Sequence, residues 1–145
     1  MTKRRVFISY AHANSEHKRW VSSLAVALRA HSLDVKLDQD DLRLGQLIDK
    51  FQRDGISLAD RVVVVCSDAY VAKCDTDRNS GAGQEKALMT AEMKRDSGTI
   101  KFIPLKRDNS SGVLPSCLGG RLWLDANGDF DDVVRALVEE IEKDV

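Results

Sequence analysis

The side chains with chemical reach in this sequence are its carboxylates, three histidines and three cysteines, and most of the usual ways of combining them fail. Asp75, Asp77 and Asn79 open like a calcium-binding loop, but the bend position holds Ser80 instead of glycine, and the twelfth position holds Lys86 instead of a bidentate glutamate. His12, His17 and His31 lack metal-ligand spacing, so no metal site is expected. Cys66, Cys74 and Cys117 form an odd set without a C-x-x-C pair, for which a reducing, cytoplasmic setting is the simplest reading. There is no G-x-S-x-G elbow to present a serine nucleophile, and no glycine-rich phosphate loop follows an apolar run. A phosphoacceptor receiver needs an acidic pair after its first strand, where this chain has Ala11 and His12. Among the acids, Glu85 and Glu92 lie seven residues apart on one apolar-periodic segment, and so share a helix face.

The elements that must position these acids follow from periodicity. Arg5 to Tyr10 is a short apolar run that predicts a first strand. From Asn14 to Ala30, Trp20, Leu24 and Leu28 recur every fourth residue beside Val21 and Ala25, which predicts a helix capped by Asn14 or Ser15. Val35 to Asp38 predicts a second strand, followed by a polar loop through Gly45 and a helix carrying Leu47, Ile48 and Phe51. Arg61 to Cys66 shows no polar alternation, the mark of a central strand buried on both faces. A polar stretch from Asp75 to Gly83 then leads into a helix from about Gln84 to Arg95. Thr99 to Leu105 predicts a fourth strand with Pro104 at its end, and Leu122 to Leu124 a fifth. Phe130, Val133, Val134, Leu137, Val138 and Ile141 trace an amphipathic helix running to the C-terminus.

Strict alternation of strands and helices predicts an α/β fold: a flavodoxin-like, doubly wound, five-stranded parallel sheet ordered 2-1-3-4-5, with helices on both faces. In such sheets ligands bind beyond the carboxyl ends of the strands, where the strand order reverses. Here those ends are Ser9, Tyr10 and Ala11 on the first strand and Ser67 and Asp68 on the third, with the loop from Asp38 to Gly45 beside them.

A chain of 145 residues is expected to form one domain spanning 1–145, which can equally be a fragment of a longer protein. The net charge of -1 leaves no overall positive field, and the one basic cluster, Lys3-Arg4-Arg5, reads as a solvated terminus, so no direct nucleic-acid contact is expected. The longest strongly apolar run, Val62 to Cys66, falls far short of the ~20 residues that a membrane helix needs, so no membrane association is expected.

Several of these segments, taken together, resemble the Toll/interleukin receptor (TIR) domain family. Val6-Phe-Ile-Ser-Tyr-Ala-His12 is similar to its first box, and Asp38-Gln-Asp-Asp-Leu-Arg-Leu-Gly45 to its second box, the BB loop. Val62-Val-Val-Val-Cys-Ser-Asp-Ala-Tyr70 resembles the third strand with its continuation, Gly83 to Glu92 the following helix, and Lys101-Phe-Ile-Pro104 the strand after it. The matches run in family order across residues 5 to 105.

The resemblance implies either of two functions. Some family members are adaptors that signal only through TIR to TIR assembly. Others, of a bacterial type linked to immunity, antiviral defence or virulence, cleave NAD with a glutamate on that helix, which corresponds to Glu85 here. The chemistry suits a single carboxylate. Breaking the bond from ribose to nicotinamide develops oxocarbenium character on the sugar, and the pyridinium leaves neutral without a general acid. The products would be nicotinamide and ADP-ribose, or a cyclic ADP-ribose. NAD is the substrate in this reading, and no cofactor is expected.

The plainer alternative for Glu85 is a solvated acid in a helix first turn. As an exposed carboxylate in a shallow, open crevice it is expected to contribute little to stability. Glu92 is the fallback catalytic residue. Ser9, Tyr10, Ala11, Asp38, Leu42, Ser67 and Tyr70 are candidate substrate-binding residues: Tyr10 for ring stacking, Asp38 for a ribose hydroxyl, with Tyr70 equally readable as core. Some NAD-cleaving relatives carry an aromatic residue four positions before the glutamate, where this chain has Gly81, so a ring-stacking wall must come from elsewhere. The tip of the loop, Leu42, Arg43, Leu44 and Gly45, is expected to contact a neighbouring protomer, making a homo-oligomer or filament that activates the site, with a fused or associated sensor domain as a further partner.

Overall fold

A computed structural model describes residues 3–77 and 79–143. Strand β1 (Arg5–Ser9) leads into helix α1 (Ser15–Ala30), capped by the Asn14 side chain, which accepts the His17 backbone N–H. Next come β2 (Asp34–Lys36), a single turn α2 (Asp38–Asp41), α3 (Ile48–Leu58) and β3 (Arg61–Cys66). Helices α4 (Asp68–Thr76) and α5 (Gly81–Arg95) precede β4 (Phe102–Lys106). A 3-10 turn (Ser116–Leu118), β5 (Leu124–Asp125) and α6 (Phe130–Glu142) complete the chain. The predicted run of the last helix to the C-terminus falls, at 144–145, outside the described residues.

The five strands form one parallel sheet in the order β2-β1-β3-β4-β5. β3 lies at its centre, paired with β1 and β4, and all six of its residues are buried. Because side chains alternate across a strand, β3 feeds two cores. Val63 and Val65 join α1 and α6 residues such as Leu24, Leu28 and Leu137, while Val62, Val64 and Cys66 join Ile56, Tyr70 and Met89 of α3, α4 and α5. At about 1.5–3 kcal/mol per buried aliphatic side chain, this strand is a main source of the fold's stability.

Several predicted boundaries are corrected. The second strand ends at Lys36 and Asp38 starts α2, because the Asp41 carboxylate accepts the Leu37 backbone N–H and coils the chain at once. Asp75 to Gly83 is mostly helical: α4 runs to Thr76 and α5 begins at Gly81, capped by Ser80 Oγ on the Gly83 N–H; Arg78, within that stretch, lies outside the described residues. The fourth strand starts at Phe102 and holds Pro104 in its interior. Val62 N–H donates to Lys101 C=O, so alternate residues Ile103 and Leu105 face β3 while Pro104 faces the other side, ahead of the first paired residue of β5. Its missing N–H therefore breaks no ladder. The fifth strand is Leu124–Asp125, and Leu122 is fully exposed instead.

Candidate functional site

Alternation along β1 decides what the sheet presents at its carboxyl edge. Phe7, Ser9 and Ala11 face the side of α3, α4 and α5, and Ile8 and Tyr10 face that of α1 and α6. Helix α5 runs back over the first of these sides, so Glu85, in its second turn, meets the end of β1. The Ser9 hydroxyl lies beside the Glu85 carboxyl and favours its ionised form. Ser9 Oγ also lies 2.6 Å from the Tyr70 hydroxyl, with both residues fully buried. With Glu85 ionised, the Ser9 hydroxyl turns its proton to the carboxylate and Tyr70 donates to Ser9.

Glu85 is not the exposed crevice acid expected from the sequence: it is only 6 % exposed, and its Oε2 has no hydrogen-bond partner. Burial, opposed by the Ser9 hydroxyl and aided by the charge of Asp38, pushes its pKa up to about 8. The crevice is likewise closed. Glu85, Tyr10, Asp38, Leu42, Phe51 and Gln52 surround a cavity of about 50 Å³, with Phe7, Ile8 and Ile48 completing its wall. Sites for whole cofactors occupy roughly 300–1,000 Å³, so this cavity admits solvent-sized guests only.

The cover is the segment after β2. Its base is clamped where Tyr10 Oη donates to Asp38 Oδ1 at 2.7 Å and His12 Nε2 lies 2.7 Å from Asp38 Oδ2. Burial alone would raise the Asp38 carboxyl, but the hydrogen bonds from His12 and Tyr10 outweigh it and hold its pKa below the ordinary value. The Tyr10 phenol is raised by burial and by bonding to this carboxylate. Beyond the clamp, half-buried Leu42 lines the cavity, whereas Arg43, Leu44 and Gly45 are exposed, Leu44 fully so. Gly45 makes the turn at φ +85°, a left-handed conformation that suits glycine.

Ser9, Tyr10, Asp38, Leu42 and Glu85 are thus brought together, with Tyr70 one hydrogen bond behind Ser9. Ala11 packs in the core beside Ile56 and Met89, and Ser67 caps α4 by accepting the Tyr70 N–H, so neither lines the cavity. Leu42 belongs to the cavity rather than to the exposed tip. Glu92 lies at the far end of α5 and pairs with Lys101 at 2.8 Å ahead of β4, remote from the strand carboxyl ends. Phe51, Gln52, Ile48 and His12 were not singled out from the sequence. Ile48 and Phe51 read only as apolar residues of a helix and Gln52 was not read at all; Phe51, Phe7 and Tyr10 put aromatic residues on the cavity wall, where Gly81 has no side chain. A larger groove of about 490 Å³ runs between α3 and the β2 side, lined by Arg5, Lys36, Lys50 and Leu58, away from the carboxyl ends of the strands.

The TIR domain model matches residues 6–138. Among solved structures the chain is similar to a prokaryotic SEFIR domain, at 30% identity and a TM-score of 0.77, over 97% of this chain and 100% of that one. It is also similar to the TIR domain of the Toll-related receptor TRR-2 from Hydra magnipapillata, at 20% identity and a TM-score of 0.66, over 95% and 98% of the two chains. The TIR domains of the activated Roq1 resistosome, which recognises the pathogen effector XopQ, align at 19% identity and a TM-score of 0.57, over 72% of this chain and 57% of theirs. The last two likenesses show the fold alone. No curated protein matches the chain.

Proposed function

The chain belongs to the TIR domain family, and we propose that it is an NAD glycohydrolase that works when self-assembly opens the site around Glu85. The observation that carries this reading is one buried carboxylate with an unpartnered oxygen, facing a cavity lined by Phe7, Tyr10 and Phe51 at the switch point of the sheet. In the proposed reaction the bond between the ribose anomeric carbon and the pyridinium nitrogen breaks. Its electron pair passes to the ring, and neutral nicotinamide leaves. The Glu85 carboxylate faces the oxocarbenium until water captures it, giving ADP-ribose and a proton, or until an adenine nitrogen does, giving a cyclic product. Asp38, with its ionised carboxylate beside Tyr10, is placed to accept a ribose hydroxyl once His12 swings away.

The closed cavity sets a condition. With its pKa near 8, Glu85 is largely protonated at neutral pH, and a neutral acid stabilises a cation poorly. Displacing Leu42 would admit both the nicotinamide ring and water, and the cationic pyridinium would itself favour the carboxylate. A neighbouring copy supplies the force in this reading, by burying the exposed Leu44 and Leu47 of the same segment. We place such an assembly in the cytoplasm of a bacterium, in immunity or virulence and under a fused or associated sensor.

The test is incubation of concentrated protein with NAD and detection of nicotinamide, for the native chain and for Glu85→Gln. Release by the native protein and none by the variant is the expected result. The closed cavity and the exposed leucines specifically favour a second reading, a module that only assembles. Concentration-dependent oligomers without nicotinamide release, even when clustered by a fused oligomerising partner, would establish it instead.

A further inference from the structure

Gln52 of α3 is the one neutral amide on the wall of the Glu85 cavity, and it is 8 % exposed. Its side-chain amide makes no hydrogen bond among the described residues, and its polar atoms are not sealed from solvent, so both donors and the carbonyl oxygen are free to meet a guest. Its location follows from Gly81. A Cβ on that glycine would come within 3.1 Å of Gln52 Nε2, so the amide lies over the bare backbone that opens α5. The chain has put an amide against a glycine there, with ring-stacking surface supplied by Phe51 one residue earlier on α3. On its other side Gln52 faces an open groove of about 930 Å³ between α3 and α5, so it stands where a guest would pass from solvent to the carboxylate.

We propose that Gln52 is a specificity-determining residue that selects a pyridine-3-carboxamide over a pyridine-3-carboxylate at this site. The proposal rests on the NAD reading of Glu85 and adds to it which head group is accepted. Two primary amides pair through two N–H···O=C bonds in one plane, each group donating once and accepting once. A ring lying against Phe51 would bring its amide substituent to Gln52 while its nitrogen and the attached ribose faced Glu85. A carboxylate substituent would offer Gln52 no donor for its carbonyl oxygen, and would place a second negative charge beside Glu85 and Asp38. Its rejection therefore has both a missing bond and a repulsion behind it.

The experiment compares the native protein with Gln52→Met, which keeps the length and removes the polarity, and with Gln52→Asn, which keeps the amide and shortens its reach. Melting curves confirm that each variant folds. Turnover is measured with NAD and with nicotinic acid adenine dinucleotide, and binding of free nicotinamide and nicotinic acid by ligand-observed NMR. The native protein is expected to favour the carboxamide by about tenfold or more in both assays, and Gln52→Met to lose about tenfold on the carboxamide alone, mainly in KM. Gln52→Asn should fall between them. Discrimination that is absent in the native protein, or that survives in a folded Gln52→Met, overturns the proposal. If the native protein releases no nicotinamide, the NAD reading fails separately, and the binding arm decides. Preferential nicotinamide binding that disappears in Gln52→Met supports the selection, and equal or absent binding refutes it.

Discussion

Replacing Glu85 by glutamine should stabilise the protein, increasingly so as the pH rises. The substitution keeps the shape of the side chain and removes its ability to ionise, and Oε2 is already unpartnered, so no satisfied bond is lost there. In the native fold the carboxyl titrates at about 8, against about 4.5 when solvated. Below about 4.5 both folded and unfolded chains hold the proton and the group is neutral to stability. Between the two values the unfolded chain releases the proton and the folded chain retains it, so stability falls as the pH rises. Above about 8 both are ionised and the penalty levels off. At about 1.4 kcal/mol per tenfold, the penalty is about 1 kcal/mol at pH 5, about 3 kcal/mol at pH 7 and about 5 kcal/mol at pH 9. Glu85 is nearly fully buried, so solvent screening does little to reduce these magnitudes. For a domain of this size each kcal/mol moves Tm by roughly 3 °C. Thermal melts of both proteins at constant ionic strength should then show Glu85→Gln melting a few degrees higher at pH 5 and roughly 15 °C higher at pH 9. Other titrating groups are shared by the two proteins and cancel in the difference. A Tm gap that stays flat from pH 5 to pH 9 would refute the buried, proton-holding state. The expectation that this substitution leaves Tm nearly unchanged, drawn from the sequence, assumed an exposed acid and is replaced.

Ser9→Ala removes the hydroxyl that favours the Glu85 carboxylate, so the rise of kcat/KM with pH should move upward by about one on the pH scale; an unmoved profile would separate Ser9 from the acid. Leu44→Asp should leave Tm unchanged, since Leu44 is fully exposed, while lowering both oligomer formation in light scattering and the gain of specific activity with concentration. Equal assembly by the variant would remove Leu44 from the interface. Gly55→Ala should cost about 1–3 kcal/mol in denaturant unfolding, because the new methyl would lie 2.3 Å from a ring carbon of Phe7 and force α3 off β1. A loss below about 0.5 kcal/mol would mean that this contact relaxes freely.

The fold was legible in the sequence wherever burial on two faces or one helix stripe left a regular mark. Val62 to Val65 announce a central strand because no polar residue interrupts them, and the Trp20, Leu24, Leu28 spacing announces α1 because a single face is apolar. Helix α4 escaped since only Tyr70 and Cys74 of its nine residues are buried, and its last turn, Asp75 and Thr76, is polar enough to read as loop. The position of Glu85 came from likeness to a family, and its burial could not be read at all. That burial depends on Leu42 returning over it from a distant segment and on Gln52 and Phe51 arriving from α3. Nothing local in Gly83 to Glu92 distinguishes a helix acid under a lid from one in water. Gln52 was missed for the same reason, being one polar residue on a helix whose other face is charged.

Closure of the cavity and exposure of the leucines are two consequences of one backbone path. Tyr10 and His12 pin the segment at Asp38, α3 begins at Ile48, and the positive φ of Gly45 turns the chain between them. Leu42 therefore points to Glu85 and Leu44 to solvent. Under the proposed reading, opening must withdraw Leu42, which is only half-buried, at a cost of about 1 kcal/mol of lost burial. Burying the exposed Leu44 and Leu47 against a second copy returns about 1.5–3 kcal/mol each. Hydration of the opened cavity also relieves part of the penalty that holds Glu85 protonated, so opening gains further as the pH rises. Burial of these two leucines thus offsets the lost burial of Leu42, and because association itself costs about 4 kcal/mol or more, the open segment requires a contact surface that extends beyond the two leucines.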